Sequence, residues 1–354
     1  MSSAHFGDSH NFGRRVEVRR ARVFKPRPLF WEWLFLSAKS PLRRSLDGAS
    51  RKSALGAFTF LPDLTFFQPR TLDREGEVEH IDLQPLGKLR AGEKMELAQI
   101  VGRSLALWSF FGLSDLHWEN LVLGRARDGR IIFCPVDIEL VLSDLISPTE
   151  TKLLPERNSV YREILRHAAG VRRVLPHLGK PIAREHLAVM VESYRATFVF
   201  LQDHGSAMAK ILLSLPQLRT TPIRICLRGT GDYVLARQQP IWPPLLPEEV
   251  EQLDRDDIPY FFHLYGRRGI HYFTDPACTR ASRVAKSGGS SKTDPVLALS
   301  RGLGSANRAR LLKNGISAIR RAFDQANPSN VYLPCRCGER RTVFAHAVRC
   351  PYSG

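Results

Sequence analysis

The chain is short of acidic residues. Its 35 Asp and Glu face 52 Lys and Arg, a formal net charge of +17 over 354 residues. Such a balance favours an anionic partner (nucleotide, acidic peptide, nucleic acid or membrane surface), or it reflects a background in which all proteins are basic. Cysteine is also scarce, and six in a chain of this length do not make a disulfide scaffold. Cys134 and Cys226 lie between apolar neighbours and read as core thiols. Long apolar runs are missing. Leu29 to Leu36 is too short to span a bilayer and contains Glu32, so no membrane span is expected. The first residues contain no apolar signal-peptide core, and the expected location is the cytoplasm. No internal repeat is found, and no aromatic-and-basic module of the kind that reads nucleic acid, so a nucleic-acid partner is not favoured.

The remaining composition is ordinary. A hydrophobic share of 43% and a charged share of 25% describe a globular chain, long enough for one large domain or two lobes. Residues 14–25 alternate and read as a strand ended by Pro26 and Pro28, with a helix starting near Leu29. Residues 93–111 carry Met95, Ala98, Val101, Leu105 and Trp108 at steps of three and four, one buried stripe of a helix. Two strand-like runs follow, from Asn120 and up to Val136, separated by Asp128-Gly129, a hairpin signal. The second half reads as mostly helical, with Leu187, Met190, Val191, Tyr194, Phe198 and Leu201 on one face. Arg224 to Leu235 reads as a strand, and 306–325 as a basic amphipathic helix.

The chemistry-bearing segment is Asp115-x-His117-x-x-Asn120, followed after the hairpin by Asp137 and Glu139. Phosphoryl transfer needs few protein groups: one to orient or deprotonate the attacking hydroxyl, and oxygen ligands for the magnesium that bridges the ATP phosphates. Asp115 suits the first task, with His117 sharing it or steadying the phosphoryl charge. Asn120 and Asp137 suit the second, because a two-stranded ribbon brings its two open ends together. The alternative is that Asp115, His117 and Asn120 are capping residues of a turn. Lys25, at the end of a strand before a proline, is either a phosphate contact or one of many surface cations.

In this order the motifs resemble the dehydratase domain of class II (LanM-type) lanthipeptide synthetases. The matching pieces are Gly7-Asp8-Ser9-His10 with Gly13-Arg14, Val23-Phe24-Lys25-Pro26-Arg27, the Asp115 motif, Asp137-x-Glu139, Arg224 with Thr230, and Asp257-Ile-Pro-Tyr-Phe261. The resemblance spans residues 7–275. It implies an α+β, kinase-like two-lobed fold of lipid-kinase type. The N-terminal lobe (1–90) is expected to be small and incomplete, and the C-terminal lobe (91–284) mostly helical and catalytic. A basic loop, a helix and a Cys-containing tail would complete the chain (285–354). The implied activity uses ATP and Mg²⁺ to phosphorylate Ser and Thr of a ribosomal precursor peptide, then eliminates phosphate to leave dehydroamino acids. Asp8, His10, Lys25 and Glu139 are expected on the nucleotide side, and Arg224 and Thr230 in elimination. On a strand, positions 224 and 230 would share a face.

The family's ring-closing cyclase is not found in this sequence, so a separate cyclase or partner subunit is a further expectation. Two other readings stay open: a kinase-like enzyme without elimination, and an inactive relative that binds a peptide or partner. Cys335, Cys337, His346 and Cys350 form either a small zinc site or a tail with spare thiols.

Overall fold

The computed structural model describes residues 4–68, 72–143, 145, 147–155, 169–179, 182–284, 306–324, 331–334 and 340–343. Its fold is α+β with small sheets. The described residues fall into two compact units. One comprises those of Met1–Asp82, Asp137–Asp144 and His204–Gly304; the other comprises those of Leu83–Val136, Leu145–Asp203 and Ser305–Gly354.

The first unit begins with β1 (Ala4–His10), β2 (Arg14–Arg19) and β3 (Arg22–Lys25), joined by β4 (Gly76–Glu79) in an antiparallel sheet ordered β1-β2-β3-β4. The single strand expected over 14–25 is two strands. Arg19 pairs with Arg22 across a two-residue turn in which Arg20 has φ 56°. Pro26 and Pro28 end the sheet, and the chain enters α1 (Phe30–Leu36). Six of its seven residues are buried, as expected of a helix that is apolar all round. One of the six is Glu32. Helix α2 (Pro41–Arg51) starts where theory places a start: the Ser40 side chain accepts from the Arg43 amide, and Pro41 follows. Arg43 turns inward and donates to the carbonyls of Phe35, Phe58 and Pro62, pinning the loop that follows.

In the second unit α3 (Ala91–Phe110) delivers the chain toward Asp115. Ala98, Val101, Leu105 and Trp108 are fully buried, and burial extends well beyond the expected stripe to Leu97, Ser104, Ala106 and Leu107. β5 (Leu121–Arg125) and β6 (Ile131–Pro135) pair as the Asp-Gly turn predicts, with Leu121 opposite Pro135. The long α4 (Arg184–Ser214), which belongs to this unit as far as Asp203, crosses α3 at Gly102, where a Cβ would run into the Met190 carbonyl. Only glycine lets the two backbones come this close. Phe110 and Phe198 meet edge to face beside the crossing.

The first unit resumes with β7 (Ile223–Ile225), α5 (Thr230–Ala236), α6 (Pro247–Leu253), β8 (Phe261–His263), β9 (His271–Phe273) and β10 (Ala281–Arg283). The sheet order is β10-β9-β8-β7. Alternation through β8 and the residue on either side of it sends Tyr260, Phe262 and Leu264 into one apolar cluster and Phe261, with Tyr272 and Val284, into another. In the second unit α7 (Ala306–Asp324) follows, then a hairpin of β11 (Val331–Pro334) and β12 (Arg340–Val343).

Two further expectations are corrected. Arg224 and Thr230 do not share one strand: β7 ends at Ile225, and Thr230 is the first residue of α5, exposed. Gly229 and Asp232 explain the switch, because the Asp232 carboxylate accepts from the Gly229 amide and opens a helix. Cys226 is exposed rather than in the core, since it lies just past the end of that short strand; Cys134 is buried as expected. Cys335, Cys337, His346 and Cys350 lie outside the described residues, as does the side chain of Asp8.

Candidate functional site

In the first unit three cations and three carboxylates converge. Lys25, the last residue of β3, points its ammonium at Glu32 of α1, Nζ to Oε1 2.8 Å. The same Glu32 oxygen accepts from Arg27 Nη2 at 2.7 Å. Arg27 reaches on to Asp137 (Nη2 to Oδ1 2.7 Å) and to Glu139 (Nε to Oε1 2.7 Å). Arg224 of β7 approaches the other Glu139 oxygen at 3.3 Å. The local reason is plain. Val23 and Lys25 alternate along β3, Pro26 and Pro28 hold the following backbone extended, and α1 offers Glu32 one turn in.

Burial makes the arrangement consequential. Lys25, Arg27 and Glu32 are under a tenth exposed, and charges so placed are tolerated only when paired. Burial works against the Arg27 charge, yet Asp137, Glu32 and Glu139 outweigh it and raise its pKa well above the ordinary value. Asp137 keeps about a third of its side-chain surface. Burial pushes its carboxyl up, but Arg27, Lys25 and Arg224 pull it further down, to about 2. Glu139 behaves oppositely: burial, aided by Asp137, outweighs Arg27 and Arg224 and raises it. Two neighbouring carboxyls are thus driven apart, one fixed as an anion and one inclined to hold a proton.

The cluster has unused hydrogen-bonding capacity. Arg27 Nη1, Arg224 Nε and Asp137 Oδ1 are buried and make no hydrogen bond; the close Arg27–Asp137 approach is an ion pair without hydrogen-bond alignment. A small cavity of about 90 Å³ opens there, lined by His10, Arg27, Asp137, Glu139, Arg224 and Tyr260 among others. His10 Nδ1 lies 2.7 Å from the Ile258 carbonyl, so Nδ1 carries the hydrogen and Nε2 is the acceptor, 3.3 Å from Arg224 Nη2. Arg224 also lies over the Tyr260 ring at 5.1 Å. Burial and the nearby Glu139 raise the Tyr260 phenol well above its ordinary pKa, so it stays a neutral donor. A larger hollow of about 540 Å³ runs past Gly13, Arg14, Arg15, Phe24 and Pro26.

The second unit holds the Asp115 loop. Asp115 has φ 65°, in the left-handed region that Asp tolerates better than most. Its Oδ1 accepts from Lys152 Nζ at 2.6 Å. Asn120 Nδ2 donates to the Asp115 carbonyl at 3.0 Å and to Oδ2 at 3.3 Å, closing the loop on itself. His117 caps the 3₁₀ turn Trp118–Asn120: its Nδ1 accepts from the Glu119 amide, which leaves Nε2 as the protonated nitrogen, 4.0 Å from Asp115 Oδ2. Asn120 therefore ends a turn rather than beginning a strand. Its carbonyl accepts from the amide of Val136, the residue before Asp137 in the chain.

The sequence-predicted residues thus form two groups. Lys25, His10, Asp137, Glu139 and Arg224 are brought together in the first unit; Asp115, His117 and Asn120 are brought together in the second. Thr230 stands apart on α5. Arg27, Glu32, Tyr260 and Lys152 were missed as site residues. A buried Glu inside an apolar helix was a signal within reach, since an unpaired carboxylate there is intolerable; Lys152 left none. The metal question turns on Asp137, an ionised carboxylate with an oxygen free of hydrogen bonds. A carboxylate is the ligand type that a hard, oxygen-seeking cation takes, and here Arg27 Nη2 already lies 2.7 Å from that oxygen. Among the described residues there is no cluster of three or more His, Cys, Asp or Glu suited to a metal. The chain matches no protein-family model and no curated protein by sequence.

Proposed function

We propose that the protein is a kinase-like dehydratase of the class II lanthipeptide type, which phosphorylates Ser or Thr of a peptide and then eliminates the phosphate. One observation carries the reading: the buried Lys25–Glu32 ion pair from the end of a strand in the N-terminal sheet to the next helix, beside the ionised Asp137. Kinases require such a lysine–glutamate pair, and it keeps the ammonium aimed at the nucleotide phosphates. The hollow of about 540 Å³ has the size of a small-molecule site and would hold the ATP, because Arg14, Arg15 and Pro26 line both it and the smaller cavity at Asp137. Asp137 is the residue of this unit that would hold Mg²⁺, which when bound would neutralise charge on the transferred phosphoryl group.

The chain's own groups then divide the work. Asp115, held by Lys152 and Asn120, accepts the proton of the substrate hydroxyl as the Ser or Thr oxygen takes the γ-phosphoryl group. In the second step His10 Nε2 takes the α-proton. The Cα–H electron pair becomes the Cα–Cβ double bond, and the Cβ–O bond breaks with its electrons leaving on phosphate. Arg224 and Arg27, each with a buried N–H lacking a hydrogen bond, receive that phosphate. The hydrogen-bonding demand of these two guanidiniums favours elimination over phosphorylation alone.

Mass spectrometry of a Ser/Thr-rich precursor peptide after incubation with the protein, ATP and Mg²⁺ tests this. Loss of one water mass per site is expected. With Arg224→Ala, phosphorylated peptide should accumulate, with elimination slowed on the order of 100-fold or more. A peptide that gains phosphate and never loses it, even with the unaltered protein, leaves the kinase without a lyase. No mass change with any peptide overturns the enzymatic reading.

A further inference from the structure

The turn between β1 and β2 is strained. Asn11, Phe12 and Gly13 all have positive φ, at 49°, 71° and 78°. Asn and Gly visit this region at low cost, whereas an aromatic side chain does not. Strain of that kind persists only where surrounding contacts over-determine it. Here the contact is Asp257, fully buried although no helix or strand contains it. Its Oδ2 accepts from the Phe12 amide at 2.6 Å, and its Oδ1 from the Gly13 amide at 2.9 Å and the Ser9 hydroxyl at 2.8 Å. Successive amides in such a turn form a concave nest for an anion, and the anion is this chain's own carboxylate.

Beside the nest, the Ile258 amide donates to the Ser9 carbonyl at 2.8 Å. The Ile258 carbonyl then accepts from His10 Nδ1, and Tyr260 packs against the imidazole edge to face, at 6.0 Å. Arg255 covers the Phe12 ring at 3.9 Å. Segment 255–260 thus grips the residues on both sides of His10 as well as His10 itself.

We infer that Asp257 is a positioning residue: by holding the Phe12–Gly13 amides and Ser9 it fixes the His10 ring on Ile258, with Nε2 presented to Arg224. This rests on the reading of His10 as the elimination base, but its geometric half stands alone. Asp257 touches no reacting atom. An amide at this position cannot accept from both backbone N–H groups and the hydroxyl with two equivalent oxygens, so Asp257→Asn should loosen the turn while leaving Lys25, Asp115 and Asp137 as they are.

The decisive measurement is ring-nitrogen NMR of histidine-labelled full-length protein, with the His10 signals identified by their loss in His10→Gln. The unaltered protein should show one Nδ1–H tautomer at His10, and Asp257→Asn a mixture. With a precursor peptide, Asp257→Asn should slow elimination roughly 100-fold, as expected for a small displacement of a reacting group, with phosphorylation unchanged. Phe12→Gly relieves the strained φ, so Phe12→Gly/Asp257→Asn replaces the single variant if that one does not fold, with the same expected mixture. A single unaltered His10 tautomer in either variant overturns the inference. So does a parallel loss of phosphorylation and elimination, which is the mark of a merely structural residue. If the unaltered protein modifies no peptide, the proposed function fails, and the tautomer measurement still decides whether Asp257 positions His10.

Discussion

The charged cluster of the first unit and the Asp115 loop of the second handle similar side chains under opposite conditions. In the cluster Lys25, Arg27 and Glu32 are under a tenth exposed, and every charge depends on another. In the loop Asp115 and Lys152 keep about a third and a half of their side-chain surface, and water shares the solvation of both. Removing one partner from a buried set leaves an uncompensated charge, whereas removing one from an exposed pair costs little. Under the proposed function, chemistry and stability are therefore bound together in the first unit and separable in the second.

The largest effect should come from Glu32→Gln. It removes the buried carboxylate that Lys25 and Arg27 share and should destabilise the protein by about 3–5 kcal/mol, read from the urea midpoint. The same change should abolish phosphorylation. An unchanged midpoint would mean that the cluster does not hold the first unit together. Asp115→Asn is the counterpart. Transfer to peptide should fall on the order of 100- to 10,000-fold, while stability shifts by less than about 1 kcal/mol. If Asp115→Asn unfolds the protein as readily as Glu32→Gln, the contrast between the two regions is lost.

Acid sharpens the comparison. Glu139, raised by burial, binds its proton more readily folded than unfolded, so acidification through its titration favours the fold. Asp137 is depressed from 3.8 to about 2, so its contribution is present above 3.8 and lost as the pH falls toward 2. Stability curves against pH for Asp137→Asn should be flatter across that lower window, and coincident curves would remove Asp137 from the charge network. The smallest effect belongs to Lys152→Ala, about 0–1 kcal/mol by the same urea titration. A larger loss would show that the Asp115 loop depends on this exposed ion pair.

Much of this was legible before the structure. The spacing of Ala98, Val101, Leu105 and Trp108 announced α3, and Asp128-Gly129 the β5–β6 hairpin, because side-chain period and turn chemistry are local properties. The strand expected through Arg224 and Thr230 failed because Asp232 opens a helix where the apolar pattern looked extended. Cys226 fell on the surface for the same reason. Among the site residues, Lys25 and Arg224 carried a local signal, while Arg27, Glu32 and Tyr260 acquire their roles only by meeting one another.

The sequence by itself determined the α+β content, the main helices and the tight turns, and it concentrated the candidate chemistry in Lys25, Asp115, His117, Asn120, Asp137 and Arg224. Tertiary structure alone decided which charges pair. Arg27 is 110 positions from its partner Asp137 and Arg224 is 85 from Glu139, and a carboxyl's charge state depends on what surrounds it in space. It also decided that Asp257, more than 240 residues from Phe12, supplies the anion for that strained turn. Local propensity writes the elements. Burial, which is a property of the whole fold, writes the electrostatics.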